Sequence, residues 1–148
     1  MSELKIKNEF SANLSTNETL SFEVSIKSNH LINDHRIGIK ISNSDGAPVG
    51  LLFTEAIINL NSNEEVEVII DITSHNLAKG IYMIDFSLGT GNEESPIKDI
   101  HIISEALIIE IAKKDVNSDS IIVNWNALNW GNNHFIESSI TLISKKKY

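Results

Sequence analysis

The segment from residue 124 to residue 134 places two tryptophans among amide side chains. Its candidate ligand-binding residues are Asn124, Trp125, Asn126, Asn129, Trp130 and His134. Sugar rings present apolar C–H faces that pack on aromatic rings, and their hydroxyls hydrogen-bond to amides. The pattern therefore favours a glycan-binding surface. The alternative is structural, with Trp125 ending a buried strand and Trp130 packing a turn beside Gly131.

A second candidate surface is the outward face of the predicted central strands, where polar side chains alternate with apolar ones. These outward residues are Ser25, Lys27, Lys40, Asp71, Asp85 and Ser87. A polar sheet face of this kind either contacts a ligand or is simply hydrated. Both interpretations stay open.

Residue types that carry catalysis or hold metals are present but poorly arranged. The five histidines show no His-x-x-x-His or His-Glu spacing, so we expect them in exposed loops with no metal and no cofactor. Glu64-Glu65 and Glu93-Glu94 are adjacent pairs in turns and should point into solvent rather than across a sugar. No nucleophile elbow is present, and without cysteine there is no thiolate. The sequence predicts a non-enzyme, with a polysaccharide-processing enzyme as a weaker alternative.

One turn and strand organise the rest of the chain. The pattern Leu-x-x-Gly-x-Tyr, formed by Leu77, Gly80 and Tyr82, runs into a strand whose alternate residues are apolar. Gly80 supplies the backbone freedom for the turn, and Tyr82 can enter the core while its hydroxyl reaches a backbone group. This resembles the tyrosine corner of Greek-key sandwiches, in which a strand passes from one sheet to the other.

Short strands separated by turn signals fill most of the remaining sequence. Strands are predicted over 4–6, 19–27, 37–41, 49–53, 66–72, 82–88, 105–111, 121–125 and 136–143. The segment 56–60 is either strand or irregular, while 28–34, 89–98 and 113–120 are predicted to be connections. The fold class is all-β, an antiparallel Ig-like β-sandwich of about eight or nine strands.

Bulk properties limit the class of protein. The 148 residues suit a single domain over 1–148, and the net charge of −8 argues against nucleic acid as a partner. We expect a cytoplasmic protein, because the N-terminus lacks a signal-peptide core and no apolar run is long enough for direct membrane insertion.

Three features, taken in order, carry a family resemblance. The first is a hairpin of an apolar strand, Asp45-Gly46 and a second short apolar strand; the second is the strand 66–72 with its tyrosine corner; the third is a late strand over 106–111. Together they resemble the C-terminal domain of Wzt, the ATP-binding subunit of O-antigen polysaccharide ABC transporters. Lys79 stands where that family commonly has proline, and its Asp-rich loop is reduced to Lys98-Asp99.

The resemblance implies a carbohydrate-binding module for the polysaccharide of a lipid-linked O-chain. It would work in the cytoplasm with the ATPase domain or membrane subunit of an inner-membrane transporter. It also implies a homodimer that exchanges a C-terminal strand, which here falls within 121–144; a strand that returns to the edge of its own sheet is the alternative.

The chain has no Gly-x-x-x-x-Gly-Lys-Ser/Thr loop, so ATP hydrolysis is not its task. The rival hypothesis is an Ig-like module for protein interaction or dimerisation that binds no glycan.

Overall fold

Two β-sheets pack face to face in the computed structural model of the chain, which describes residues 2–6, 14–15, 19–73, 75–112, 131 and 139–144. Its strands are β1 (Ser2–Ile6), β2 (Leu14–Ser15), β3 (Leu20–Ser28), β4 (Ile32–Asn43), β5 (Pro48–Phe53), β6 (Ile58–Leu60), β7 (Glu64–Ile72), β8 (Gly80–Thr90) and β9 (Lys98–Ala112). The three-stranded sheet has the order β1-β3-β7, and the six-stranded sheet has the order β2-β9-β8-β4-β5, with β6 paired to β4. The predicted all-β sandwich is confirmed.

Alternation along the strands builds the core between the sheets. On β3 every second residue from Leu20 to Ile26 is buried, and on β8 the same holds from Tyr82 to Leu88. The rings of Phe22 and Phe86 meet edge to face, with centroids 5.3 Å apart, and so join the two sheets. Because the apolar side chains of both sheets face inward, the polar positions of each strand are left on the outer faces.

The chain crosses between the sheets at the segment that precedes β8. The Tyr82 ring is fully buried, and its hydroxyl donates a 2.7 Å hydrogen bond to the carbonyl oxygen of Ala78. Gly80 has a φ of 157°, which lies at the edge of the region that favours glycine. This is the geometry of a tyrosine corner. It delivers β8 into the six-stranded sheet directly after β7 has completed the three-stranded one.

β4, β8 and β9 are longer than the sequence pattern predicts. β4 begins at Ile32 within the predicted polar connection 28–34, because Asp34 takes a φ of 53° and the register shifts there while pairing with β6 continues. β8 and β9 extend into the predicted loop 89–98, which leaves only 91–97 as the connection. A bulge at Glu105, with a φ of 51°, lets β9 run for 15 residues.

The described part of the predicted C-terminal strand, 139–143, does not form a strand within the single chain, and its exchange with a partner stays a prediction. Residues 139–144 lie in no strand, and Ile140, Leu142 and Ile143 are exposed, because the segment pairs with none of the described strands of its own chain. β2 forms a short parallel pair with β9. The predicted strand 121–125 and linker 113–120 lie outside the described residues.

Candidate ligand-binding face

A depression of about 350 Å³ lies on the outer face of the six-stranded sheet. Its volume is within the range of small-molecule sites in proteins. Four strands and the 91–97 connection line it with Gly38, Lys40, Leu51, Phe53, Asp85, Phe86, Ser87, Ile97, Asp99, Ile102 and Ser104. This region is the candidate site, and we call it the β4–β9 depression.

Gly38 forms the floor of the β4–β9 depression. A Cβ atom there would lie 2.5 Å from the Ser87 Oγ and 3.2 Å from the Phe53 ring, so a side chain would fill the space into which these groups approach. The residue is buried in the middle of β4, opposite Phe53 on β5 and Ser87 on β8. The absence of a side chain at this outward position therefore makes the sheet surface concave.

Arg36 supports one end of the depression from the side, on the same outer face of β4 as Gly38, and is itself only 1% exposed. Its Nε donates to the carbonyl oxygen of Gly91 at 2.7 Å, and its Nη2 donates to that of Thr90 at 3.2 Å. Its Nη1 donates to the Ser87 Oγ at 3.3 Å. The guanidinium thus fixes the end of β8 and the start of the connection to β9.

The same guanidinium contacts two further walls of the depression. Its carbon atom lies 4.6 Å from the centroid of the Phe53 ring, a cation–π contact, and its Nη2 forms a 2.8 Å ion pair with the Asp99 Oδ1. Phe53 lines the depression whereas Arg36 does not. The stacked ring therefore separates the buried charge from the space that a ligand would occupy.

At the other end, a β-bulge orients Asp85. The backbone N–H of Glu105 donates a 2.7 Å hydrogen bond to the Asp85 Oδ1, and Lys40 lies directly across from Asp85 on the neighbouring strand. The bulge interrupts the β8–β9 register between Ile84 and Phe86. It therefore gives Asp85 a fixed backbone partner on the outer face of the sheet.

The depression combines an aromatic ring and apolar side chains with carboxylates, hydroxyls and one ammonium group. Such a surface suits a ligand that has both apolar faces and hydroxyl groups, because packing and hydrogen bonding are available side by side. In the described residues no group of three or more histidine and carboxylate side chains is placed to hold a metal ion. No helix in that part of the chain is long and apolar enough to cross a membrane.

The predicted site residues fall into three sets. Lys40, Asp85 and Ser87 come together in the depression, whereas Ser25, Lys27 and Asp71 lie on the outer face of the three-stranded sheet. Asn124, Trp125, Asn126, Asn129, Trp130 and His134 lie outside the described residues. The polar outward face thus divides between the two sheets.

Sequence reasoning missed Arg36 and Phe53, and it considered Asp99 as part of the shortened Asp-rich loop. The available signal was an arginine with a glycine two residues later within the strongly apolar strand β4. The expectation of exposed histidines is wrong for His75, which is buried and accepts a 3.0 Å hydrogen bond from the Leu77 N–H through its Nδ1.

The fold and the depression define an Ig-like β-sandwich with a ligand-sized cavity on the outside of one sheet. The sequence profile of the Wzt C-terminal domain family matches residues 3–123, and the chain belongs to this family. The family is associated with the O-antigen ABC transporter.

Solved structures agree with this assignment at the level of the fold. A crystal structure of the C-terminal domain of Wzt has 14% sequence identity and a TM-score of 0.71, covering 95% of this chain and 84% of its own. A β-glucosidase from Listeria innocua in complex with glucose has 22% identity and a TM-score of 0.50, with 75% of this chain and 16% of that one covered. A search of curated proteins finds no match.

Proposed function

We propose that this chain is a non-catalytic carbohydrate-binding module that recognises O-antigen polysaccharide for export by an ABC transporter. The β4–β9 depression is the binding site. One observation carries the proposal: a ring at Phe53 lies beside carboxylates and hydroxyls in a cavity that Gly38 keeps open. Membership of the Wzt C-terminal domain family supports the same function.

In the proposed complex, a sugar ring packs on Phe53 and on the apolar side chains Ile97 and Ile102. Its hydroxyls donate to Asp85 or Asp99 and exchange hydrogen bonds with Ser87 and Ser104. Each contact is weak and the surface is already formed, so affinity is modest and changes little with salt. Trp125, Trp130, Asn124, Asn126, Asn129 and His134 remain a second proposed contact for the same polysaccharide.

The proposed setting is the cytoplasmic side of the inner membrane, with the transporter's ATPase domain or membrane subunit as partner. A homodimer through residues 121–144 belongs to the proposal as well. The exposed apolar side chains of 139–144 support it, because Ile140 is 98% and Ile143 94% exposed in the single chain.

A matched pair of variants tests the site. Phe53→Leu keeps an apolar side chain but removes the ring face, and Ile69→Ala changes a 70% exposed residue on the outer face of the other sheet. In calorimetric titration with uncharged mannose, galactose and rhamnose oligosaccharides, we expect Phe53→Leu to lose affinity about tenfold, or 1.4 kcal/mol. Ile69→Ala should bind like the wild type.

The proposal is wrong if the wild type binds none of these oligosaccharides, and its site is wrong if Phe53→Leu binds as tightly as the wild type. The same exposed residues 139–144 favour a second candidate, a dimerisation module without glycan affinity. A dimer in analytical ultracentrifugation together with no oligosaccharide binding would favour that candidate.

A further inference from the structure

We infer that Arg36 is the positioning residue of the β4–β9 depression and that, by neutralising Asp99, it selects an uncharged sugar over a charged one. This inference rests on the proposed function, because it concerns the ligand of that same site. It assigns to a buried residue a role in specificity as well as in folding.

Positioning follows from what the guanidinium touches. Arg36 does not line the depression, yet it contacts three residues that do: Phe53 through the ring face, Ser87 through a hydrogen bond and Asp99 through an ion pair. Its planar fork of donors makes these contacts at the same time as those to the carbonyl oxygens of Thr90 and Gly91. Lysine, which offers a single ammonium group, cannot reproduce that set.

Selectivity follows from the charges of the site. Lys40, Asp85 and Asp99 are the charged residues that line the depression. Lys40 lies opposite Asp85, and Arg36 compensates Asp99 through their ion pair, so the site has no surplus charge. A phosphate would need a surplus of positive charge and an ammonium a surplus of negative charge, whereas an uncharged sugar needs neither.

The carboxylates are also prepared for hydroxyl groups. Arg36 occupies the Oδ1 of Asp99, and the N–H of Glu105 occupies the Oδ1 of Asp85. Neither Oδ2 has a hydrogen-bond partner among the described residues. Each carboxylate is therefore held through one oxygen while its second oxygen can accept a sugar hydroxyl.

The test compares uncharged oligosaccharides of mannose, galactose and rhamnose with the same compounds carrying one phosphate. Affinities are measured by calorimetry for the wild type, Asp99→Asn, Arg36→Lys and the control Lys27→Met on the other sheet. Asp99→Asn keeps the shape of the side chain and leaves Arg36 uncompensated, so the preference should shift toward the phosphorylated compounds by about tenfold. Arg36→Lys should weaken binding of the uncharged compounds by about tenfold, and Lys27→Met should change neither value.

The outcomes distinguish a failure of the roles assigned to Arg36 and Asp99 from a failure of the proposed glycan binding. An unchanged preference in Asp99→Asn overturns the charge selection, even if Arg36→Lys proves too unstable to study. Wild-type affinity in a folded Arg36→Lys overturns the positioning role, and in both cases the glycan site itself stands. A wild type that binds none of the compounds overturns the proposed function, and the inference falls with it.

Discussion

The outer faces of the two sheets use charge in opposite ways. On the three-stranded sheet, Lys5 pairs with Glu3 and Lys27 with Glu65, each at 3.4 Å and with side chains at least 45% exposed. On the six-stranded sheet, the pair between Arg36 and Asp99 is 2.8 Å long, and the arginine side chain is 1% exposed. Exposed pairs compete with water and contribute little, whereas a buried charge must keep its partner.

This difference shows how one sandwich can give its two faces different tasks. The exposed pairs of the three-stranded sheet can exchange for water without consequence for shape. Around Arg36, by contrast, Phe53 and the 91–97 connection exclude water, and the same residues wall a cavity. The face that buries a charge is also the face that forms a site.

Replacing one cation on each outer face tests this difference with the largest expected effect on stability. Arg36→Met leaves Asp99 partly buried without a counter-charge, so the free energy of unfolding should fall by about 3 kcal/mol. Lys27→Met should change it by less than about 1 kcal/mol, because its pair with Glu65 is solvated. Urea unfolding measures both, and equal losses would show that the two faces do not differ.

Tyr82 lies in the core between the two sheets, and its replacement should have an intermediate effect on the free energy of unfolding. Tyr82→Phe removes the hydroxyl that donates to the Ala78 carbonyl oxygen and leaves that buried acceptor unsatisfied. The free energy of unfolding should fall by about 1–2 kcal/mol. Thermal unfolding at the wild-type temperature would mean that the corner does not depend on this bond.

Two glycines on neighbouring strands allow a matched test of the depression, because only one of them forms its floor. Gly38→Ala forces the Ser87 hydroxyl and the Phe53 ring to move, which should cost about 1 kcal/mol and weaken oligosaccharide binding. Gly50→Ala is the matched control, because a Cβ there meets nothing within 4 Å. Chemical denaturation and calorimetric titration measure the two effects, and identical behaviour of the two variants would contradict the concave floor.

The sandwich could be predicted from the sequence because alternation is a local property. β3, β7 and β8 each show it, and the turn at Asp45-Gly46 closes the β4–β5 hairpin. The same alternation placed Lys40, Asp85 and Ser87 on an outer face. Each of these predictions needs only the residues within one strand.

The site could not be predicted because its members meet through pairing between strands. Arg36, Phe53 and Asp99 lie on three different strands, and they meet only through the registers of β4 with β5, of β4 with β8 and of β8 with β9. The bulges at Asp34 and Glu105 were also not predicted, because both residues take a positive φ although neither is a glycine. The alternation within a single strand does not indicate which residues of other strands it will pair with.

The smallest expected effect on stability concerns the three-stranded sheet, at the turn that leads into β7. Two hydrogen bonds from Asn61, first from its side-chain amide and then from its backbone N–H, hold the pKa of Glu64 below its ordinary value. A lowered folded-state pKa means that this contribution to stability is present at neutral pH. It is lost as the pH falls through the titration of Glu64 in the folded protein.

Asn61→Ala should therefore raise the pKa of Glu64 toward its ordinary value, since it removes the larger of the two hydrogen bonds. A carboxylate titration followed by NMR measures the change, with Glu23 on the same sheet as the reference group. Because Glu64 is exposed, the unfolding midpoint at neutral pH should stay nearly unchanged, in contrast to Arg36→Met. If Glu64 titrates identically in Asn61→Ala and the wild type, the side-chain amide of Asn61 does not lower the pKa of Glu64.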